Sequence, residues 1–228
     1  MKNTNKKISL AARVNIIRAG VMGANDGIVS VAGIVIGVAG ARVSTYAILL
    51  SGLAGMLAGT ISMAMGEWVS VSTQRDSEKM AMIHEKERLD NNFGREFEYI
   101  KNKYVATGIS DTLAAKATNE MLQDQPLEVG VRERYGFNPN EKTSAISAAI
   151  ASMISFPIGS ALPLLTITLL RSGNGILVTM ISVVIALIFT GWAAAKLGNA
   201  DPKKAVVRNV LAGLLTMVVT YIVGTQFV

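Results

Sequence analysis

The sequence predicts an all-α integral membrane protein with five transmembrane helices and a helical insert between spans 2 and 3. Three observations carry that prediction. Half of the 228 residues are hydrophobic and only 17% are charged, with a mean hydropathy of +0.41. The apolar residues gather in runs long enough to cross a hydrocarbon core of ~30 Å at ~1.5 Å per residue. The charges are segregated: of the 16 Asp and Glu residues, only Asp26 and Glu67 fall within the runs assigned to the membrane.

In chain order, residues 1–17 form a basic, partly helical lead-in with Lys2, Lys6, Lys7 and Arg13. The apolar run that follows is too long for a signal-peptide core and lacks a cleavage-like end, so no cleaved segment is expected. Span 1 is 18–41 and span 2 is 45–67, so residues 18–74 make the first membrane segment. The helical pattern of span 2 continues past the bilayer. Residues 75–142 are too polar for lipid, holding eleven basic and thirteen acidic residues. They read as helices near 68–90, 92–106, 111–123 and 126–135, with Ser110 as an N-cap and Gly108 and Gly136 as breaks. Residues 143–228 supply spans 3 to 5, at 143–169, 174–195 and 205–226. Pro157 and Pro163 lie inside span 3, where they predict a kink facing protein or water.

Lys and Arg place twenty residues on one side of these spans and two, Arg42 and Arg171, on the other. By the positive-inside rule the N-terminus and the insert are cytosolic, and the C-terminus lies opposite. The net charge of +6 therefore follows membrane topology, and no nucleic-acid partner is expected.

The composition also limits the chemistry. The chain has no Cys and one His, which excludes thiolate zinc sites, Fe–S clusters and His-rich metal sites. A metal site must use carboxylate, carbonyl, amide or Met sulfur. No phosphate loop, nucleotide signature or Ser/His/Asp set is present, so neither an ATP-driven pump nor an enzyme is expected.

Asp26 is the outstanding residue. It sits roughly 12 Å into span 1, where a carboxylate costs at least ~2.5 kcal/mol unless partnered or hydrated. Asn25 and Asp26 side by side can ligate a hard cation, and Asp26 can also accept a proton; a structural hydrogen bond to a neighbouring helix is the plainer alternative. On span 2, Met56, Met63 and Glu67 share a face at spacings of seven and four. Thioethers beside carboxylates suit Fe(II) or Mn(II) better than Mg(II) or Ca(II). Met as apolar filler and Glu67 as an interfacial residue beside Trp68 are the alternatives. Gly33/Gly37 and Gly55/Gly59 both form G-x-x-x-G patterns, which permit close helix packing; a dimer interface along span 1 is the sharper reading. In the insert, Glu78, Glu85, Glu87, Glu96 and Glu98 converge if the two helices flanking Asn91–Asn92 form an antiparallel hairpin. Lys79, Lys86, Arg88 and Arg95 can instead neutralise them as ordinary surface pairs.

The stretches Gly23-Ala-Asn-Asp-Gly-Ile-Val-Ser30, Leu53-Ala-Gly-Met-Leu-Ala-Gly-Thr-Ile-Ser-Met-Ala-Met-Gly66 and Phe156-Pro-Ile-Gly-Ser-Ala-Leu-Pro-Leu-Leu165 resemble the vacuolar iron transporter family, which includes nodulin-21-like proteins. The resemblance covers nearly the whole chain. It implies a homodimer that moves Fe(II), and often Mn(II), out of the cytosol in exchange for protons, with no permanently bound cofactor. It places Asp26 and Met63 on the transport path; Asn25 and Glu67, from their own chemistry, are expected to assist there. It implies cytosolic metal binding at Glu85, Glu96 and Glu133, with Glu87 and Glu98 adjacent to two further family positions that Arg88 and Tyr99 occupy here. The paired methionines of plant-type members are absent, since Val129 and Gly130 stand in that neighbourhood. The membrane is expected to be the cell membrane in a bacterium or a vacuolar-type membrane in a eukaryote. A membrane-anchored scaffold whose insert binds a protein partner is the alternative function.

Overall fold

The computed structural model describes residues 10–141, 143–170 and 174–228. The expectations for 1–9, including Lys2, Lys6 and Lys7, and for Lys142 and Arg171 lie outside the described residues. Seven α-helices and no strands occur among the described residues: α1 Leu10–Gly40, α2 Thr45–Ala106, α3 Asp111–Asp124, α4 Pro126–Tyr135, α5 Ala145–Leu169, α6 Gly175–Leu197 and α7 Pro202–Thr225. Five of them, α1, α2, α5, α6 and α7, contain stretches long and apolar enough to cross a membrane.

α1 begins well before the hydropathy boundary at Arg18, because Arg13 and Arg18 are good helix formers and need no lipid to be helical. α2 is interrupted at Asn92, whose φ of −155° and ψ of 69° are non-helical. Its side-chain oxygen accepts the Arg95 backbone N–H at 3.1 Å, so Asn92 caps the arm that follows. Gly136 ends α4 with a left-handed φ of 76°, a conformation that glycine adopts without a Cβ penalty. Ser110 stands at the N-cap of α3 but makes no side-chain cap hydrogen bond. α5 runs through both Pro157 and Pro163 as one helix. Thr166 Oγ1 donates to the carbonyls of Leu162 and Pro163 at 3.0 and 3.1 Å, the back-bonding of a threonine to the preceding turn.

Two compact units divide the chain. The first, Arg13–Ser70 with Ser144–Val228, carries all the apolar stretches. α1 is its central helix: Ile28, Val31, Val35 and Ile36 are buried against Ile48 of α2, Phe156 and Leu164 of α5, Val183 and Leu187 of α6, and Met217 of α7. Outward-facing positions of this unit are large and apolar, among them Ile154 and Ile158 of α5, Ile185 and Phe189 of α6, and Leu211 and Leu215 of α7. That is the surface of a protein whose solvent is lipid.

Helix approach in this unit is governed by glycine. A Cβ on Gly27 would strike the Phe156 carbonyl oxygen, one on Gly159 the Ala24 carbonyl oxygen, and one on Gly224 the Gly37 carbonyl oxygen. The expected packing glycines are filled from within the chain: Gly33 and Gly37 face Thr216 and Thr220 of α7, Gly55 faces Ile34 and Gly59 faces the Phe156 ring. The G-x-x-x-G patterns thus carry close packing within the chain.

The second unit comprises Val71–Thr143 with the described residues before Arg13. Leu89, Ile100, Leu122 and Val129 form its small core. Leu89 and Ile100 stand on opposite sides of Asn92 in sequence, so the chain folds back at that break.

Candidate functional site

In the first unit the four expected path residues have four different environments. Asp26 is exposed, and the Ser30 hydroxyl, one turn on, donates to its Oδ1 at 2.7 Å. Asn25 is turned ~100° from it by the helix and is engaged elsewhere. Its amide oxygen accepts from Thr190 Oγ1 of α6 at 3.1 Å and from Asn209 Nδ2 of α7 at 2.8 Å. Of the two readings of Asn25, the structure shows the hydrogen bond to a neighbouring helix: its oxygen joins α1 to α6 and α7. Met63 is half-buried and packs against the core, as does Met56. Glu67 is buried and ion-paired with Arg18, its Oε2 lying 3.1 Å from Nη2. This bond ties the start of span 1 to the end of span 2.

Arg18, Thr190 and Asn209 were missed as site residues in the sequence. Arg18 carries a topology signal that hides its pairing, and the partners of Asn25 lie 165 and 184 positions away, beyond any local pattern.

The second unit gathers two of the five expected metal-binding glutamates and closes them with a cation. Glu85 is fully buried and Glu96 is 2% exposed. In a straight helix their Cα atoms would be about 16 Å apart, yet both carboxylates meet Arg134 of α4. Its guanidinium lies 3.2 Å from Glu85 Oε2, donates to Glu96 Oε1 at 2.8 Å and Oε2 at 2.5 Å, and stacks 3.7 Å above the Tyr99 ring. Arg88 adds a 3.4 Å contact to Glu85 Oε2 and donates to the Tyr135 hydroxyl at 2.6 Å. Burial, then the hydrogen bond and charge of Glu96, push the Glu85 carboxyl above its ordinary range, against the pull of Arg134 and Arg88.

The other three glutamates are elsewhere. Glu133 takes a hydrogen bond from Tyr104 at 2.8 Å and ion pairs with Lys103 and Arg132 at 3.2 Å each. Burial raises its carboxyl, but these partners outweigh burial and hold it below the ordinary range. Glu98 pairs with Lys101 at 2.8 Å. Glu87 is exposed and lines a cavity of about 700 Å³ with His84, Arg95 and Tyr99. Glu78 takes a hydrogen bond from Gln74 at 2.9 Å, so of the glutamates expected to converge or to bind metal only Glu85 and Glu96 are brought together. Among the described residues, no three His, Asp or Glu side chains stand together as a metal-binding group. The physical reason is Arg134, a residue given no role in the sequence reading, which lies where a cation would relieve the Glu85–Glu96 repulsion.

The profile of the VIT family matches residues 17–225. The chain belongs to the VIT family. Vacuolar iron transporter homolog 2.1 of Arabidopsis thaliana is 31% identical, over 95% of this chain and 83% of its own length. Vacuolar iron transporter homolog 2 of Oryza sativa is 34% identical, over 95% and 93%. The vacuolar iron transporter of Acanthamoeba castellanii is 31% identical, over 91% and 77%. Family membership thus extends over all five apolar stretches and the polar segment between the second and third. The relatives carry the names of transporters, not of enzymes.

Proposed function

We propose that this chain is a proton-coupled transporter that moves Fe(II), Mn(II) or both out of the cytosol. The carrying observation is the exposure of Asp26 on an apolar span, where Ser30 alone of the described residues hydrogen-bonds its carboxylate. A carboxylate at that depth does not face lipid without water or a partner. The exposed face of α1 around Asp26 therefore borders an aqueous path or a second copy of the chain, and a homodimer with Asp26 near its seam satisfies both. Asp26 binds the ion and exchanges protons with it. Met63 contributes a soft donor from α2, which favours Fe(II) over Mg(II). Asn25 serves by fixing the rotation of α1. The metal in the relatives' names supports iron as cargo.

The Lys and Arg asymmetry orients this transporter with the N-terminus and the insert in the cytosol and the C-terminus across the membrane. It resides in the cell membrane of a bacterium or a vacuolar-type membrane of a eukaryote. A C-terminal reporter active only in the cytosol should be silent, and activity would remove the five-span topology.

Metal-driven proton flux into proteoliposomes tests the function. Asp26→Asn keeps size and hydrogen bonding but removes charge and proton site, and is expected to lower flux at least ~10-fold. Met63→Leu is expected to lower Fe(II) flux more than it lowers thermal stability. Unchanged flux in Asp26→Asn would make the carboxylate structural.

A further inference from the structure

The Arg18 guanidinium does more than pair with Glu67. Its Nη2 lies 3.1 Å from Glu67 Oε2 and 3.1 Å from Asn15 Oδ1, and its Nη1 lies 3.1 Å from Met22 Sδ. One carboxylate oxygen, one amide oxygen and one thioether sulfur thus converge on a single cationic group. These are the donor types left to a chain with no Cys and one His, and their mixture is that of a borderline divalent metal site. The Asn15 amide nitrogen is buried without a hydrogen-bond partner, so Asn15 is held by its oxygen alone.

Burial of the pair is unequal. The Arg18 side chain is 46% exposed and that of Glu67 is 9% exposed. Arg18 can swing into water on its flexible stem, while Glu67 stays in place and cannot be left uncompensated at low cost. The cation can be exchanged and the carboxylate cannot.

We propose that Asn15, Met22 and Glu67 form a divalent-cation site, separate from Asp26, and that Arg18 is a tethered plug which the arriving metal displaces. A divalent ion binds oxygen more closely than a guanidinium does, so the three side chains contract as Arg18 leaves. A monovalent ion offers no more charge than Arg18 and does not displace it. Mg(II) satisfies the two oxygens and gains little from the sulfur, so Met22 sets a preference for softer ions. The ion class rests on the transport reading given above; the site rests on the convergence of donors around Arg18.

The test is Mn(II) and Co(II) binding to the full-length protein in detergent, with free Mn(II) counted by electron paramagnetic resonance and Co(II) followed by absorption. Asp26→Asn serves as the background, so Asp26 adds no site. Glu67→Gln is expected to abolish binding. Met22→Leu is expected to weaken Co(II) more than Mn(II). Arg18→Gln is expected to tighten Mn(II) about tenfold, the factor equivalent to ~1.4 kcal/mol. Arg18→Lys, which keeps the charge but lacks the fork that reaches three donors, should bind between wild type and Arg18→Gln, and decides the matter if Arg18→Gln does not fold. Wild-type binding in Glu67→Gln, equal Co(II) and Mn(II) losses in Met22→Leu, or loss of binding in both Arg18 variants overturns the proposal. Normal flux in Asp26→Asn would overturn the transport reading while leaving these binding results standing.

Discussion

The two units treat their acidic residues in opposite ways. In Val71–Thr143, Glu85 and Glu96 are buried, mutually repelling and closed by Arg134, with Arg88 and Tyr99 alongside. In the apolar unit, Asp26 is exposed with a serine hydroxyl beside it, and Glu67 has one half-exposed arginine. Both arrangements place carboxylates where water is scarce. The first supplies its own permanent cation and so reads as structure. The second leaves its charge open or loosely covered, which is what a site for a passing cation requires. Position in the family pattern does not reveal this difference; the neighbouring cation does.

The largest expected effect comes from breaking the closed cluster. Arg134→Gln leaves two buried carboxylates without their main partner and should cost about 3–5 kcal/mol, measured by hydrogen exchange of Leu89 and Ile100 in the intact protein. Loss of under about 1 kcal/mol would show the pair to be solvated and the contrast with Asp26 to be false.

Next is the node that orients α1. Asn209→Ala removes the amide donor to Asn25 and should lower thermal stability by about 1–3 kcal/mol. Asn209→Asp keeps the size of the side chain but cannot donate when ionised, so it should lower stability similarly. An unaffected melting temperature in both variants would detach the orientation of Asp26 from α7.

Smaller effects appear with pH. Glu133 is held below the ordinary carboxylate value of 4.5, so its contribution is present above that value and disappears as pH falls through the lower folded value. Glu85 is raised above 4.5, so its contribution has the opposite sign: it favours folding below 4.5 and is lost as pH rises through the raised folded value. Acid titration of insert stability should therefore flatten at the low end in Glu133→Gln. In Glu85→Gln the decline on the rising side should vanish. A wild-type profile in both variants would show that neither carboxyl governs the pH dependence of the insert.

The smallest effect expected is that of metal on the insert. With Arg134 seated between Glu85 and Glu96, Mn(II) should protect the insert amides no more than Mg(II) does. Selective protection by Mn(II), lost in Glu85→Gln, would place a metal there after all.

Much of the architecture was legible in the sequence. The five apolar runs are long enough to cross a membrane and each is covered by one helix, and the thirteen acidic residues between the second and third runs mark off a polar segment. The break near Asn92 was legible because Asn caps helices readily. The pairings were not. Arg134 meets Glu96 across 38 positions, and nothing in the helix pattern of α4 distinguishes it from Arg132. The chemistry of Asn25 is visible in the sequence but its partners Thr190 and Asn209 are not, since they lie 165 and 184 positions away. Side-chain partners are set by tertiary packing, which local periodicity does not encode.

The most direct test sets the two kinds of carboxylate side by side. Metal-dependent proton flux would be measured in proteoliposomes holding equal amounts of folded wild type, Asp26→Asn and Glu85→Gln. Flux is expected to be lost in Asp26→Asn and kept in Glu85→Gln. Flux kept in Asp26→Asn and lost in Glu85→Gln would contradict the division between an open transport carboxylate and a closed structural one.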